Sequence, residues 1–349
     1  MDNKKFIKNN INLKFPTIIC SSVIRATHQG ETHGGIYLVD LNSGEYKQVI
    51  DWNDPSINWE GRGGDRGLRG IALYDNKIYI AAADRIIVFN KNFEIINSFK
   101  NKYLWDCHEI FVFKDSLFIT STAFTSILEF DLKSNTFVKG YYIRQKKYLW
   151  FIDSIVYKID RNIIKKKKFV LTKILRLFKP KLIIFNPNSD NGPTLQFEFH
   201  INNVYCDNDR IYFCGSRLNH IYYILNEKIY HYAKVPFETH NARPFKEGSL
   251  LIDTTAEKVF YMDLKGNVME SFQIKKFKKN ELLYAHFSIE IAKQAFGRGL
   301  CITDDELIIV GSSPALITVY KLGCPNALKH VNITMDIRNT IHGLEIWPY

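Results

Sequence analysis

The last eight residues, "HGLEIWPY" (His342–Tyr349), read as the opening strand of a structural unit placed at the wrong end of the chain. Five phrases elsewhere have the same form: "RGIALYDNKIYIAAADRIIVFN" (69–90), "HEIFVFKDSLFITSTAFTSILEFDL" (108–132), "NNVYCDNDRIYFCGSRLNHIYYIL" (202–225), "NARPFKEGSLLIDTTAEKVFYMDL" (241–264) and "RGLCITDDELIIVGSSPALITVYKL" (298–322). Each reads as a strand, a short polar turn, a second strand, a loop and a third strand. A fourth strand follows each one, in "EIINSFK", "TFVKGYYI", "KIYHYAKV", "NVMESFQI" and "HVNITMDI". Near the N-terminus, "TIICSS", "GGIYLVDL" and "EYKQVIDW" supply a second, third and fourth strand with no first. "HGLEIWPY" is that missing strand. The pattern predicts one domain over 1–349: an all-β, six-bladed β-propeller of four-stranded blades, closed by the C-terminal strand joining the N-terminal blade. Such closure removes exposed sheet edges.

The composition, 46% hydrophobic and 14% aromatic, suits a folded chain with a large core. The N-terminus has no apolar run long enough for a signal peptide, and no stretch has the length of a membrane helix, so the expected location is cytoplasmic. Six cysteines stand singly without zinc-binding spacing and are expected to be buried free thiols. The net charge of +11 is local: Arg144 to Lys181 holds 13 Lys and Arg against 2 Asp, and the remaining 34 basic residues balance 34 acidic ones.

That basic segment forms an insertion at 144–199, between blades 3 and 4. "RNIIKKKKFVLTKILRLFKPK" spaces Ile163, Ile164, Val170, Leu171, Ile174, Leu175 and Phe178 at helical intervals, with lysines round the other side, which predicts an amphipathic helix over about 161–179 ended by Pro180. With Tyr148, Trp150 and Phe151 ahead of it, the 144–181 stretch is expected to touch an anionic membrane surface, peripherally at the inner face. No nucleic-acid module is present, and no specific nucleic-acid partner is expected.

The first-to-second strand turns are uniformly short, and all long loops fall on the opposite rim, where binding residues are expected. Aligning the six first strands gives one column at that end of the channel: His342, Arg69, His108, Asn202, Asn241 and Arg298. None is apolar, which points to a ligand ring, although the arginines could also pair with carboxylates such as Glu109 and Glu345. His200, two residues before Asn202, is expected on the same strand face; His240 and Arg243 flank Asn241. The loop "WEGRGGDRGLRG" adds Glu60, Asp65 and Arg66 among four glycines. His28 and His33 read as solvated loop histidines.

Two chemistries fit the ring. Arg69 and Arg298 could converge on the carboxylate or phosphate of an acidic sugar or phosphorylated metabolite, with Asn202 and Asn241 reading hydroxyls. Alternatively, His108, His200, His240 and His342 could hold a divalent transition metal such as zinc, with His108, His240 and His342 as the catalytic candidates for hydrolysis or elimination. A protein-interaction scaffold is the third expectation.

The blade pattern resembles the broad six-bladed propeller superfamily of NHL-type, gluconolactonase-like and streptogramin-lyase-like proteins, and of peptide-amidating lyases whose channel metal is held by histidines from different blades. The resemblance covers nearly the whole chain at the level of architecture, with no signature of any one family. It implies a site at the channel. Gluconolactonase-like proteins use an acidic set of Glu, Asn and Asp there, whereas this column offers Arg and His, so that activity is not carried over.

Overall fold

The computed structural model describes residues 14–57, 66–145 and 179–349. Six antiparallel sheets form a six-bladed β-propeller, and the strand Asn339–Ile346 pairs with Thr17–Ile24 to complete blade 1. Its register runs Ile346 against Ile18, Glu345 against Ile19 and Leu344 against Cys20. The remaining blades begin at Ile71–Tyr74, Ile110–Phe113, Ile201–Asp207, Thr239–Phe245 and Gly299–Ile302.

Six apolar clusters stand between six pairs of neighbouring blades, which is the packing signature of a closed ring. Strand alternation builds them, because successive side chains point to opposite faces of a sheet. In blade 3, Leu117 and Ile119 pack toward blade 2 while Phe118 packs toward blade 4. In blade 4, Ile211 and Phe213 face blade 3, and Tyr212 and Cys214 face blade 5. Middle strands buried on both faces therefore read as nearly continuous apolar runs. Fourth strands lie outermost and are mostly exposed, as in Ile95–Phe99.

Blade 3 departs from the expected four strands. Lys181–Phe185, read from sequence as part of the basic insertion, pairs with Thr136–Arg144 as a fifth strand. Phe185 lies over Gly140, where a Cβ would meet its ring at 2.3 Å, so the seat exists only because residue 140 has no side chain. The returning loop is fixed to the blade: the Tyr103 hydroxyl donates to the Ser189 carbonyl at 2.9 Å and accepts from Gly192 N–H at 2.8 Å. The helix expected over 161–179 lies outside the described residues except for Lys179, which is irregular. Among the described residues there is no α-helix, only two three-residue 3-10 turns, and no helix is long and apolar enough to cross a membrane. All six cysteines are free; five are buried and Cys324 is half-buried.

Candidate functional site

At the end of the channel that carries the long loops, the first strands approach one another closely, and the sequence allows it by placing small residues after the column. A Cβ on Gly343 would sit 2.3 Å from the Arg69 carbonyl oxygen, and one on Gly70 would sit 2.5 Å from a Glu109 carboxylate oxygen. Gly70 N–H donates to the His108 carbonyl (3.1 Å), and Gly343 N–H donates to the Ser21 hydroxyl (2.9 Å), which itself donates to the Arg69 carbonyl. The His342, Arg69 and His108 positions of the expected column are therefore neighbours at this end of the channel.

The ring divides into two sets. Val23, Arg25, Arg69, His108, Arg298, Thr340 and His342 line one pocket with about 20 Å3 of free space. That is room for a group the size of one water molecule. Asn202 and Asn241 serve the walls instead. The Asn202 amide donates to the Thr239 carbonyl at 3.2 Å, and the Asn241 amide donates to the Arg298 carbonyl and to Glu109 Oε2, each at 3.0 Å.

Arg69 is 2% exposed and held by more than the ring. Its Nη1 donates to Asp106 Oδ1 at 2.7 Å and to the Cys107 carbonyl at 2.9 Å. The expected carboxylate partners Glu109 and Glu345 face a different arginine. Arg243 is the cation that acts on both of them, and its Nη2 donates to the Leu300 carbonyl at 2.6 Å. Burial foremost raises Glu109 to about 8 and Glu345 to about 7. These groups form a separate set below the pocket, so Arg243 does not join the expected ligand ring. Asp106 was missed because its position is set by a left-handed backbone (φ 56) in the loop before blade 3, which no strand alignment reaches.

The histidines converge by several routes. His108 and His342 ring centres are 5.7 Å apart, and His200 stands 4.9 Å from His108 and 6.3 Å from His240. His200 is not on the strand face expected from its spacing to Asn202. It precedes the strand, in a left-handed conformation (φ 50) that turns the ring toward His108. His108 Nδ1 lies 2.9 Å from the Asp106 carbonyl and 3.0 Å from Thr122 Oγ1. The Thr122 hydrogen goes to the Ile201 carbonyl at 2.5 Å, so the His108 proton sits on Nδ1 and Nε2 is left as an acceptor. Burial, then Arg69, holds His108 well below the ordinary imidazole range; burial likewise lowers His240 strongly and His200 to about 4. These rings are neutral at pH 7. His240 Nε2 is buried without a hydrogen-bond partner.

Two further cations are positioned by an aromatic ring. The Arg298 and Arg25 guanidiniums lie 4.1 and 4.5 Å from the centre of the Phe296 ring. Arg25, on the blade 1 loop, is a pocket residue that the column alignment did not reach. Arg66 is 4% exposed, and its carbonyl accepts from Trp52 Nε1 at 3.1 Å, away from this pocket; Glu60 and Asp65 lie outside the described residues. His33, expected in solvent, is fully buried with Nδ1 against Thr27 Oγ1 at 2.5 Å, while His28 is exposed. Among the described residues no three His, Cys, Asp or Glu side chains are grouped so as to hold a metal ion.

No protein-family model and no curated protein matches the sequence. Solved structures share the fold. A protein of unknown function from Bacteroides caccae aligns over 95% of this chain and 98% of its own, with a TM-score of 0.52 at 9% identity. A Bacteroides fragilis protein provisionally assigned as a 6-phosphogluconolactonase aligns over 93% of this chain and 84% of its own, with a TM-score of 0.47 at 9% identity. Virginiamycin B lyase from Staphylococcus aureus covers 75% of this chain and 72% of its own, with a TM-score of 0.38 at 13% identity. At these identities the likeness is one of fold.

Proposed function

We propose that the loop-bearing end of the channel binds the anionic group, a carboxylate or phosphate, of a small molecule. One observation supports this reading: Arg25 and Arg298, with Arg69 already paired to Asp106, line a single small pocket with His108 and His342. Arginine forks match such groups in bidentate fashion, and charge-assisted hydrogen bonds are roughly twice as strong as neutral ones. The neutral His108 imidazole adds a donor and an acceptor without further charge. The free space admits one oxygen of such a group, with the remainder of an acidic sugar or phosphorylated metabolite lying outward over the rim. Where the bound molecule also reacts, His108 and His342, which line the pocket, are the candidate bases.

Thermal-shift titration with inorganic phosphate and with a simple carboxylate tests the reading. Stabilisation of the natural protein that is lost in Arg298→Gln and in Arg25→Gln supports it; equal stabilisation in these variants overturns it. A transition metal on His108, His200, His240 and His342 is the competing reading, and stabilisation by zinc that is lost in His108→Ala would favour it. A scaffold would respond to neither. Contact of 144–181 with an anionic membrane is proposed on its sequence alone, tested by liposome sedimentation with and without that segment.

A further inference from the structure

A second pair of histidines lies on the outer half of blade 4, away from the channel. His220 opens the third strand, His220–Leu225, and His231 lies on the fourth, Lys228–Lys234. In an unbroken antiparallel register His220 opposite Lys234 would place His231 opposite Tyr223, on the other face of the sheet. The register shifts instead between Ile221 and Tyr222, so that Tyr222 pairs with His231 and Tyr232 becomes the extra residue. A bulge of this kind re-aims a side chain. Here it brings His231 onto the face of His220 and Tyr222.

The two imidazoles stand with ring centres 4.7 Å apart and planes inclined at 76°, and the Tyr222 ring lies 4.9 Å from His231 and 5.7 Å from His220. Two imidazoles bound to one tetrahedral ion at roughly 2.0–2.1 Å per bond have ring centres roughly 5 Å apart, with the ion in the plane of both rings. The observed pair has that spacing. His220 is also oriented as a ligand: Nδ1 lies 2.9 Å from Asn219 Oδ1, an acceptor, so the proton is on Nδ1 and Nε2 carries the lone pair. A metal-bound histidine is held by this same outer contact, which fixes ring and tautomer. Asn219 is buried, so the orienting group is itself fixed. His231 is exposed, which leaves the pair open to an ion from solvent.

We infer that His220 and His231 form a binding site for a divalent transition ion of the imidazole-preferring class, such as Zn2+, with Asn219 as its positioning residue and water in the remaining positions. Both histidines are already neutral at pH 7, His220 near 4 through burial foremost and His231 lowered by burial and then Lys179. Lys234, the other cation acting on His220, and Lys179 oppose a dication, and with two protein ligands they keep the site weak and exchangeable.

Calorimetric titration with ZnCl2 tests the inference, alongside His231→Ala, His220→Ala and, as a channel control, His342→Ala. The expected result is one zinc site in the natural protein, weakened at least about tenfold in either blade 4 variant and retained in the control. His231 is exposed, so its removal leaves the fold intact, verified by an unchanged melting temperature without zinc. Asn219→Ala should weaken binding while leaving both ligands in place. No zinc binding by the natural protein overturns the inference, as does undiminished binding in His231→Ala or loss of the site in His342→Ala.

Discussion

Arg69 of blade 2 and Asp106 of the loop before blade 3 form an ion pair of 2.7 Å in which both side chains are less than one-tenth exposed. The pair joins two blades and orders the pocket, since the Asp106 carbonyl also lies against His108 Nδ1. Removing one member of a buried pair leaves an uncompensated charge, which costs roughly 3–5 kcal/mol. Asp106→Ala is therefore expected to lower stability by several kcal/mol in urea denaturation. An isosteric apolar pair in place of both residues should cost far less, and equal losses would place the stabilising interactions of Arg69 elsewhere.

The contact between Gly343 and the Arg69 carbonyl predicts a second effect. Gly343→Ala would place a Cβ 2.3 Å from that oxygen. The inner strands of blades 1 and 2 would have to separate, at a cost of about 1–3 kcal/mol by analogy with overpacked cores. Chemical denaturation measures this, and an unchanged midpoint would mean the ring yields freely there.

Closure by the C-terminal strand predicts that a chain truncated before Asn339 does not form a native ring. Its loss exposes the edge of Thr17–Ile24 and opens the cluster that joins Ile18 and Cys20 to Ile341 and Leu344. Size-exclusion chromatography and circular dichroism should show aggregation or loss of strand signal. Recovery on adding back the missing strand as a peptide would identify that edge as the cause.

Burial sets a pH dependence with two opposed arms. Glu109 and Glu345 are raised from 4.5 to about 8 and about 7, so the stability they contribute is complete below pH 4.5 and is lost as pH rises through 7 to 8. His200 is depressed from 6.5 to about 4, so its contribution is present above pH 6.5 and is lost as pH falls through 4. Between pH 6.5 and 8.5 the histidine arm fades as unfolded imidazoles lose their protons, and the carboxyl arm dominates. The melting temperature should fall across that interval, and the fall should be reduced in Glu109→Gln and in Glu345→Gln.

The architecture was legible because a propeller repeats a local pattern. Alternation within "SLFITS" already assigns Leu117 and Ile119 to one neighbouring blade and Phe118 to the other, and the unpaired "HGLEIWPY" implies closure. The column at the channel was legible for the same reason, since each blade carries it within or just before its first strand. What escaped was set by contacts between distant loops or by backbone irregularity. Asp106 and His200 depend on single left-handed residues, Arg25 comes from a loop outside the aligned strands, and His231 is turned by a bulge. Arg243, spaced as a ring residue, sits with Glu109 and Glu345 because the neighbouring strands of blades 5 and 6 offer it the Leu300 carbonyl.

The most direct test of an anion pocket lined by Arg25, Arg298, His108 and His342 is to follow the histidine ring resonances by NMR during titration with inorganic phosphate. Saturable shifts of His108 and His342, absent in Arg298→Gln and with His220 and His231 unmoved, are the predicted result. Phosphate at millimolar concentration that leaves the His108 and His342 resonances in place would contradict the account.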